Sequence, residues 1–333
     1  MHARLSYPLL AIAAVGVFAS PVAAQTQAPA APQITVGGVV YTQYQYTDQP
    51  VANKSSFDVT RAYVNVLGRF SNGITTRVTT DVYRLAGADN SLQVRLKYAF
   101  AAWTPTGSAL TYKLGMIHTP FVDYEENLWD YRMQGTIAVD RNGAMTSADL
   151  GVGVDGHWNG EQVNGQFVIV NGEGYGGGPG DFRKDVEARV SVRVQPTNDN
   201  SRVGGFRITG YAGVGKATGG ADRNRYLGQL SYRTQQFTVA GDYVSVKNAA
   251  ITGSIISAFG VYHFTSSKVA VIGRVDVVDP DKNTANDGNT RIIAGASYQL
   301  SPNVRMLADL DRVKPQGGGT ATNQALIQAQ FVF

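Results

Sequence analysis

Cysteine is absent from this 333-residue chain, so it can build neither a disulfide framework nor a thiolate metal site or cysteine nucleophile. Histidine is scarce, four in all, and His118, His157 and His263 fall in no recognisable nucleophile, metal or phosphate motif. The nearest approach to a catalytic pair, His263 with Ser266, lies at an expected turn, and neither an enzyme activity nor a cofactor is expected. Beyond the first two dozen residues no stretch reaches the ~18 apolar residues of a membrane helix, which excludes a helical inner-membrane protein. Charge of one sign is in small excess, formally +4, and is dispersed without a basic run, so nucleic acid is not an expected partner. The glycine string at residues 172–180 is followed by no helix pattern and no Lys-Ser/Thr pair, and reads as a loop tip rather than a phosphate cradle.

What is present is a signal peptide pattern, abundant glycine and tyrosine, and one persistent rhythm. Residues 1–24 have a basic start at Arg4, an apolar stretch over 9–19, and small residues Val22 and Ala24 placed for signal peptidase. The apolar run is too short for an anchor of ~20 residues, and no cysteine follows the cleavage point, so the chain is not a lipoprotein. Residues 25–33, rich in Pro, Ala and Gln, read as a flexible periplasmic leader. From residue 34 to 333, segments of about ten residues alternate apolar with polar or small side chains, as when one strand face meets lipid and the other water.

Three segments carry the alternation best. Val186, Ala188, Val190, Val192 and Val194 oppose Glu187, Arg189, Ser191 and Arg193; Val269, Val271, Val275 and Val277 oppose Arg274 and Asp276; Ala62, Val64, Val66 and Phe70 oppose Arg61, Tyr63, Asn65 and Arg69. A one-residue slip would carry arginines into hydrocarbon, so register is strongly fixed. Short connections at 71–73, 106–108, 159–160, 235–236, 266–267 and 301–302 alternate with longer ones at 47–56, 86–91, 172–181, 278–288 and 315–321. Tight turns on one side and long loops on the other are the habit of an all-β transmembrane antiparallel β-barrel, here of about sixteen strands. The count is the weaker part of that reading, because residues 251–264 and 133–144 alternate poorly.

Residues 118–146 break the rhythm with the longest connection, which is acidic at the front of a possible short helix. A loop of this length is functional or disordered, and Phe121, Trp129 and Tyr131 argue against disorder. The final strand alternates Ala325, Ile327, Ala329, Phe331 and Phe333 with polar partners, and an aromatic end of this kind resembles the signal read by the barrel-assembly machinery of Gram-negative outer membranes.

Two segments resemble bacterial porins, in particular the phosphate-selective porin O and P family: FDVTRAYVNVLGRF at 57–70, similar to that family's arginine-bearing second strand, and KLGMIHTPFVDYEENLW at 113–129, similar to its strand, Gly, Pro and acidic loop region. The resemblance implies a sixteen-stranded barrel, commonly a homotrimer, with a third loop folded inward to narrow the channel. Thr60 stands where the family often has another arginine, and no lysine ladder is present, so the likeness supports a porin rather than its phosphate-selective subtype.

The expected activity is passive diffusion of small polar solutes and ions across the outer membrane. Strand parity places Arg61, Arg69, Arg77, Arg95, Lys97, Lys113, Arg189, Arg193, Arg207, Arg225, Arg233, Arg274, Arg291 and Arg305 on the water side, against the acids Asp81, Glu187, Asp242, Asp276, Asp309 and Asp311. A basic wall predicts mild anion preference. Asp123, Glu125, Glu126, Asp130 and Arg132 are the expected constriction-loop residues, and acids there facing a basic wall would set up a transverse field. Tyr44, Tyr46, Phe70, Tyr226, Tyr232, Phe331 and Phe333 are expected in interfacial girdles, while Tyr41, Tyr63 and Tyr83 face the lumen, where sugar stacking is an open alternative. A non-conducting barrel for adhesion or envelope structure would need a plugged lumen, and a soluble periplasmic β protein would stay in solution without detergent.

Overall fold

Alternation of side chains along each segment becomes a closed cylinder in the computed structural model, which describes residues 31–48, 54–84, 91–178, 180–217 and 219–333. The strands are β1 (Gln33–Asp48), β2 (Lys54–Arg69), β3 (Ile74–Arg84), β4 (Leu92–Trp103), β5 (Leu110–His118), β6 (Ala148–Trp158), β7 (Val163–Val170) and β8 (Asp185–Gln195). They continue with β9 (Gly205–Val214), β10 (Arg223–Arg233), β11 (Phe237–Asn248), β12 (Ile251–His263), β13 (Val269–Asp279), β14 (Asn289–Ser301), β15 (Val304–Pro315) and β16 (Thr322–Val332). Each pairs antiparallel with its sequence neighbours, and β16 closes on β1 with Tyr41 opposite Gln330. Closure leaves no edge strand, so every ladder is satisfied within the ring.

The first strand starts at Gln33, one residue inside the expected leader; the signal peptide and the rest of the leader up to residue 30 lie outside the described residues. The expected alternation holds around the ring. Val64, Val66, Val190, Val192, Val271, Val275 and Ile327 point outward and are exposed, a belt fit for hydrocarbon. Several of the expected girdle aromatics, among them Tyr46, Phe70, Tyr226, Phe331 and Phe333, are exposed as well.

Connections depart from the expected pattern at two places. At the end of the barrel that carries Gln33 and Val332, called here the near end, turns are short, as at Asn72 and Gly73, both with positive φ. A Cβ at Gly73 would meet the Thr104 carbonyl oxygen at 2.0 Å, which only glycine avoids. Residues 196–204, between β8 and β9, are a long connection at this same end. Conversely, only residues 249 and 250 join β11 to β12 at the far end, where a long loop is the rule.

The segment between β5 and β6 folds into the bore and carries α1 (Val122–Trp129) and α2 (Ala138–Arg141). Its apolar side chains, including Phe121, Leu128, Trp129, Tyr131 and Ile137, are buried against inward-facing Val244, Ile255, Phe259, Ile272, Ile293 and Leu307. The hydrophobic core therefore sits inside the cylinder, between this loop and one side of the wall. This explains the weak alternation of residues 251–264: in β12, Ile255, Phe259 and Val261 are apolar toward the loop while Ile256 and Tyr262 are apolar toward the outside. Residues 133–144 alternate poorly because they form no strand.

Candidate functional site

Helical spacing decides which loop residues reach the channel. In α1, Val122, Glu125 and Trp129 recur three and four residues apart and are buried toward the wall, together with Tyr124 and Leu128. Asp123, Glu126, Asn127 and Asp130 fall on the opposite side and line a cavity of about 480 Å³ in the near half of the bore. Arg132, Tyr41, Tyr63, Asn65, Arg77, Lys97 and Tyr98 also line it, as do Arg202 and Arg233. A second cavity of about 640 Å³ occupies the far half, bounded by the later part of the loop from Thr136 to Thr146 and by Arg61, Arg95, Tyr175 and Arg223. Between the two cavities, β1 to β4 face the loop.

Both register shifts on this part of the wall fall at that level. The β1–β2 pairing passes from Tyr41 opposite Arg61 to Thr42 opposite Val59, leaving Thr60 as an extra residue whose hydroxyl donates to the Tyr41 carbonyl at 3.3 Å. The β3–β4 pairing passes from Thr79 opposite Tyr98 to Thr80 opposite Leu96, leaving Lys97 as the extra residue. A bulge re-aims the side chain it adds, and here Lys97 and Tyr98 both turn inward.

The wall facing the loop is basic and aromatic. Arg61 Nη1 and Arg95 Nε converge on one oxygen of Asp81 at 2.8 and 2.9 Å. Arg95 also lies over the Tyr83 and Tyr175 rings at 4.0 and 4.2 Å. Arg77 donates to Thr79 and Asn65, both at 2.9 Å, lies 3.1 Å from His118 Nε2, and covers the Tyr98 ring. None of those partners carries a formal negative charge. Of the wall cations Arg61, Arg77, Arg95 and Lys97, the first and third share one carboxylate, Asp81, and the other two have none as a direct partner among the described residues.

The acids expected to oppose this wall are neutralised where they stand. Asp123 pairs with Arg202, Glu126 with Arg132 at 2.9 Å, and Asp130 with Arg305 at 3.2 Å. Burial alone would raise the Asp123 carboxyl, but Arg202 and then His118 outweigh it and hold it below the usual carboxylate range. Glu125 faces away from both cavities, 1 % exposed, with both carboxyl oxygens lacking a hydrogen-bond partner in the described structure. The transverse field expected from acids across a gap is therefore reduced, and Arg77 and Lys97 on the facing wall are left without a carboxylate partner among the described residues.

The remaining wall residues split into two groups. Arg189, Arg225, Arg274 and Arg305 face inward as parity requires, yet they hold the loop rather than open water. They donate to the carbonyls of Pro120 (2.8 Å), Ala144 (2.7 Å), Thr136 (3.1 Å) and Asp130 (2.9 Å) in that order. Arg233 bonds the Asn127 carbonyl in the same manner. A guanidinium can do this because it offers five donors in a fixed fork. Lys113 pairs with Asp155, Arg291 with Asp311 at 2.7 Å, and Arg193 bonds the Gly160 carbonyl, all away from the two cavities.

Sequence reasoning missed the connection 196–204. It turns up into the bore, where Val203 is buried, Arg202 donates to the Asp123 carbonyl at 3.0 Å, and Asp199 pairs with Arg233 at 2.8 Å. Its unusual length at a near-end turn is the signal that could have found it. Tyr41, Tyr63 and Tyr83 do face the lumen; Tyr41 and Tyr63 are almost wholly covered, so they present little ring face for a sugar.

Behind α1, Glu125 shares its surroundings with Asp242, Asp276 and Arg274. Arg274 Nε and Ser257 Oγ both bond Asp276 at 2.8 Å. Burial, then the neighbouring Asp242, pushes Glu125 well above its ordinary 4.5. A carboxyl raised in the folded state leaves stability intact below its unfolded value and removes it as pH rises toward the folded one. Glu125→Gln should therefore lessen the fall in melting temperature as pH rises above the ordinary carboxyl value of 4.5; an unaltered slope in thermal scans would show that the proton is held elsewhere.

No protein-family profile and no curated protein matches this sequence. Solved structures do match, and they are bacterial barrels of the same build. The anion-selective porin of Comamonas acidovorans superposes with a TM-score of 0.68 at 12% identity, covering 91% of this chain and 100% of that one. A loop L8 deletion mutant of OmpT, an outer membrane protein of Vibrio cholerae, gives 0.65 at 13%, covering 91% and 99%. OmpF of Salmonella typhi, solved with daunomycin, gives 0.64 at 13%, covering 90% and 97%. At such identities the likeness speaks for the fold.

Proposed function

We propose that this chain is an outer-membrane porin of a Gram-negative bacterium, through which small polar solutes and ions diffuse passively with a mild preference for anions. The observation that carries this reading is the constriction itself, where Arg61 and Arg95 share one carboxylate, Arg77 and Lys97 have none as a direct partner among the described residues, and Asp123, Glu126 and Asp130 on the loop each carry their own cation. Low-dielectric walls focus such a field and raise the local concentration of the opposite ion. The exposed apolar belt gives the barrel its lipid contact, and the signal peptide pattern gives its export route. The near end is then periplasmic, and the last strand, ending in Phe333, is what the barrel-assembly machinery reads. A homotrimer is the assembly this reading implies. Thr60 at the bulge, where the phosphate-selective family often has arginine, weighs against that subtype.

Planar-bilayer recording tests the proposal. Folded, detergent-purified protein should insert in conducting steps, with a zero-current potential of the anion-selective sign in a KCl gradient. Folded protein that inserts without conducting would reject the pore, and the cation-selective sign would reject the preference.

A further inference from the structure

Lys97 is the least accounted-for charge in the bore. It is 5 % exposed, lines the near cavity, and has among the described residues no hydrogen bond and no carboxylate at ion-pair distance. Its ammonium is instead ringed by tyrosines, 4.8 Å from the Tyr63 centroid, 5.4 Å from Tyr98 and 5.8 Å from Tyr175. Ring faces stabilise a cation only in part, and a largely buried ammonium is costly when the acid that faces it across the cavity, Glu126, is already paired with Arg132 at 2.9 Å. The bulge that sends Lys97 inward thus creates a cationic position that is electrically incomplete.

Its neighbours extend the position along the pore axis. Arg77, whose hydrogen-bond partners Thr79, Asn65 and His118 carry no negative charge, lies on the near side. On the far side is the Arg61–Asp81–Arg95 cluster, which keeps one positive charge in excess and reaches the far cavity through Arg61. Arg95 and Lys97 are two positions apart on β4 and lie 4.2 and 5.8 Å from the centroid of the same Tyr175 ring, so the two stations are within reach of one small two-headed solute.

We propose that Lys97 with Arg77 forms a binding site for a carboxylate in transit, and that the Arg61 station takes a second carboxylate of the same solute. Small dicarboxylates then dwell in the constriction longer than monocarboxylates of similar size. A guanidinium and an ammonium both suit carboxylate oxygens, the former through paired N–H donors. The site rests on the pore reading given above, and its failure is separable from that of the pore.

The test is block of chloride current through single channels in bilayers, with succinate, acetate or inorganic phosphate added to one side. Succinate should reduce the current at a concentration at least tenfold below that needed for acetate. Lys97→Met, close in length and apolar, should remove block by both acids, and Lys97→Arg should restore it. Arg61→Gln should erase the advantage of succinate while leaving acetate block in place. Undiminished block in Lys97→Met, or no block by succinate in a channel that conducts chloride, would overturn the site. Phosphate as effective as succinate would overturn the two-station arrangement, because a compact anion cannot span it. A protein that conducts nothing would instead reject the pore.

Discussion

Replacing Arg77 by Gln and Lys97 by Met together will cut the zero-current potential in a KCl gradient by at least half and take most of the anion preference with it. Of the four cations at the constriction, these are the two with no carboxylate partner, so their removal leaves Arg61 and Arg95 against Asp81. An effective dielectric near 20 makes a unit charge at 4 Å worth about 4 kcal/mol to a passing ion. Screening sets the range of that force, with a Debye length of about 10 Å at 0.1 M but about 3 Å at 1 M. The difference between wild type and double variant should therefore shrink as the salt is raised. A double variant that keeps the parent potential at 0.1 M would mean that selectivity is set elsewhere, and the loop-anchoring arginines would be the next place to look.

Trp129→Ala should widen the channel. Trp129 is 1 % exposed, meets Phe259 edge to face at 5.3 Å and Tyr131 at 5.9 Å, and lies under the Arg274 guanidinium at 5.4 Å. Truncating a buried tryptophan costs about 3–5 kcal/mol. The sixteen-stranded ring is closed without it, so the loss falls on the seating of the loop. Single-channel conductance should rise, and trypsin should cut at Arg132 or Arg141 while the barrel keeps its heat-resistant mobility on gels. An unchanged conductance with an uncut loop would show that the arginine-to-carbonyl bonds hold it without the aromatic contact.

Much of the barrel was legible because a strand that separates lipid from water must alternate; β13 does so without a lapse, and β8 and β2 do so apart from one register shift each. Legibility failed where a third environment intervened. The inner face of β12 meets neither lipid nor water but the folded loop, so Ile255, Phe259 and Val261 look out of step with a two-sided pattern. The same cause explains the wall arginines. Parity put Arg189, Arg225 and Arg274 inside correctly, yet parity cannot say that a loop carbonyl will take their protons before an ion does. Glu125 was within reach of sequence reasoning, since Val122 and Trp129 fix the buried side of an eight-residue helix and Glu125 lies between them on it. The unusual length of residues 196–204 was within reach too, but their partner was not, because Arg202 finds Asp123 only in three dimensions.

The β4 bulge has a consequence for how such a channel can be retuned. A regular pleat sends every second side chain outward, so a cylinder of fixed circumference offers a fixed number of inward positions at each height. One inserted residue, Lys97 on β4, supplies a chemical group beyond that quota while the strand above and below keeps its phase. Swapping the inserted residue changes what the gap attracts and leaves the greasy exterior untouched, so specificity can drift among descendants at little risk to assembly.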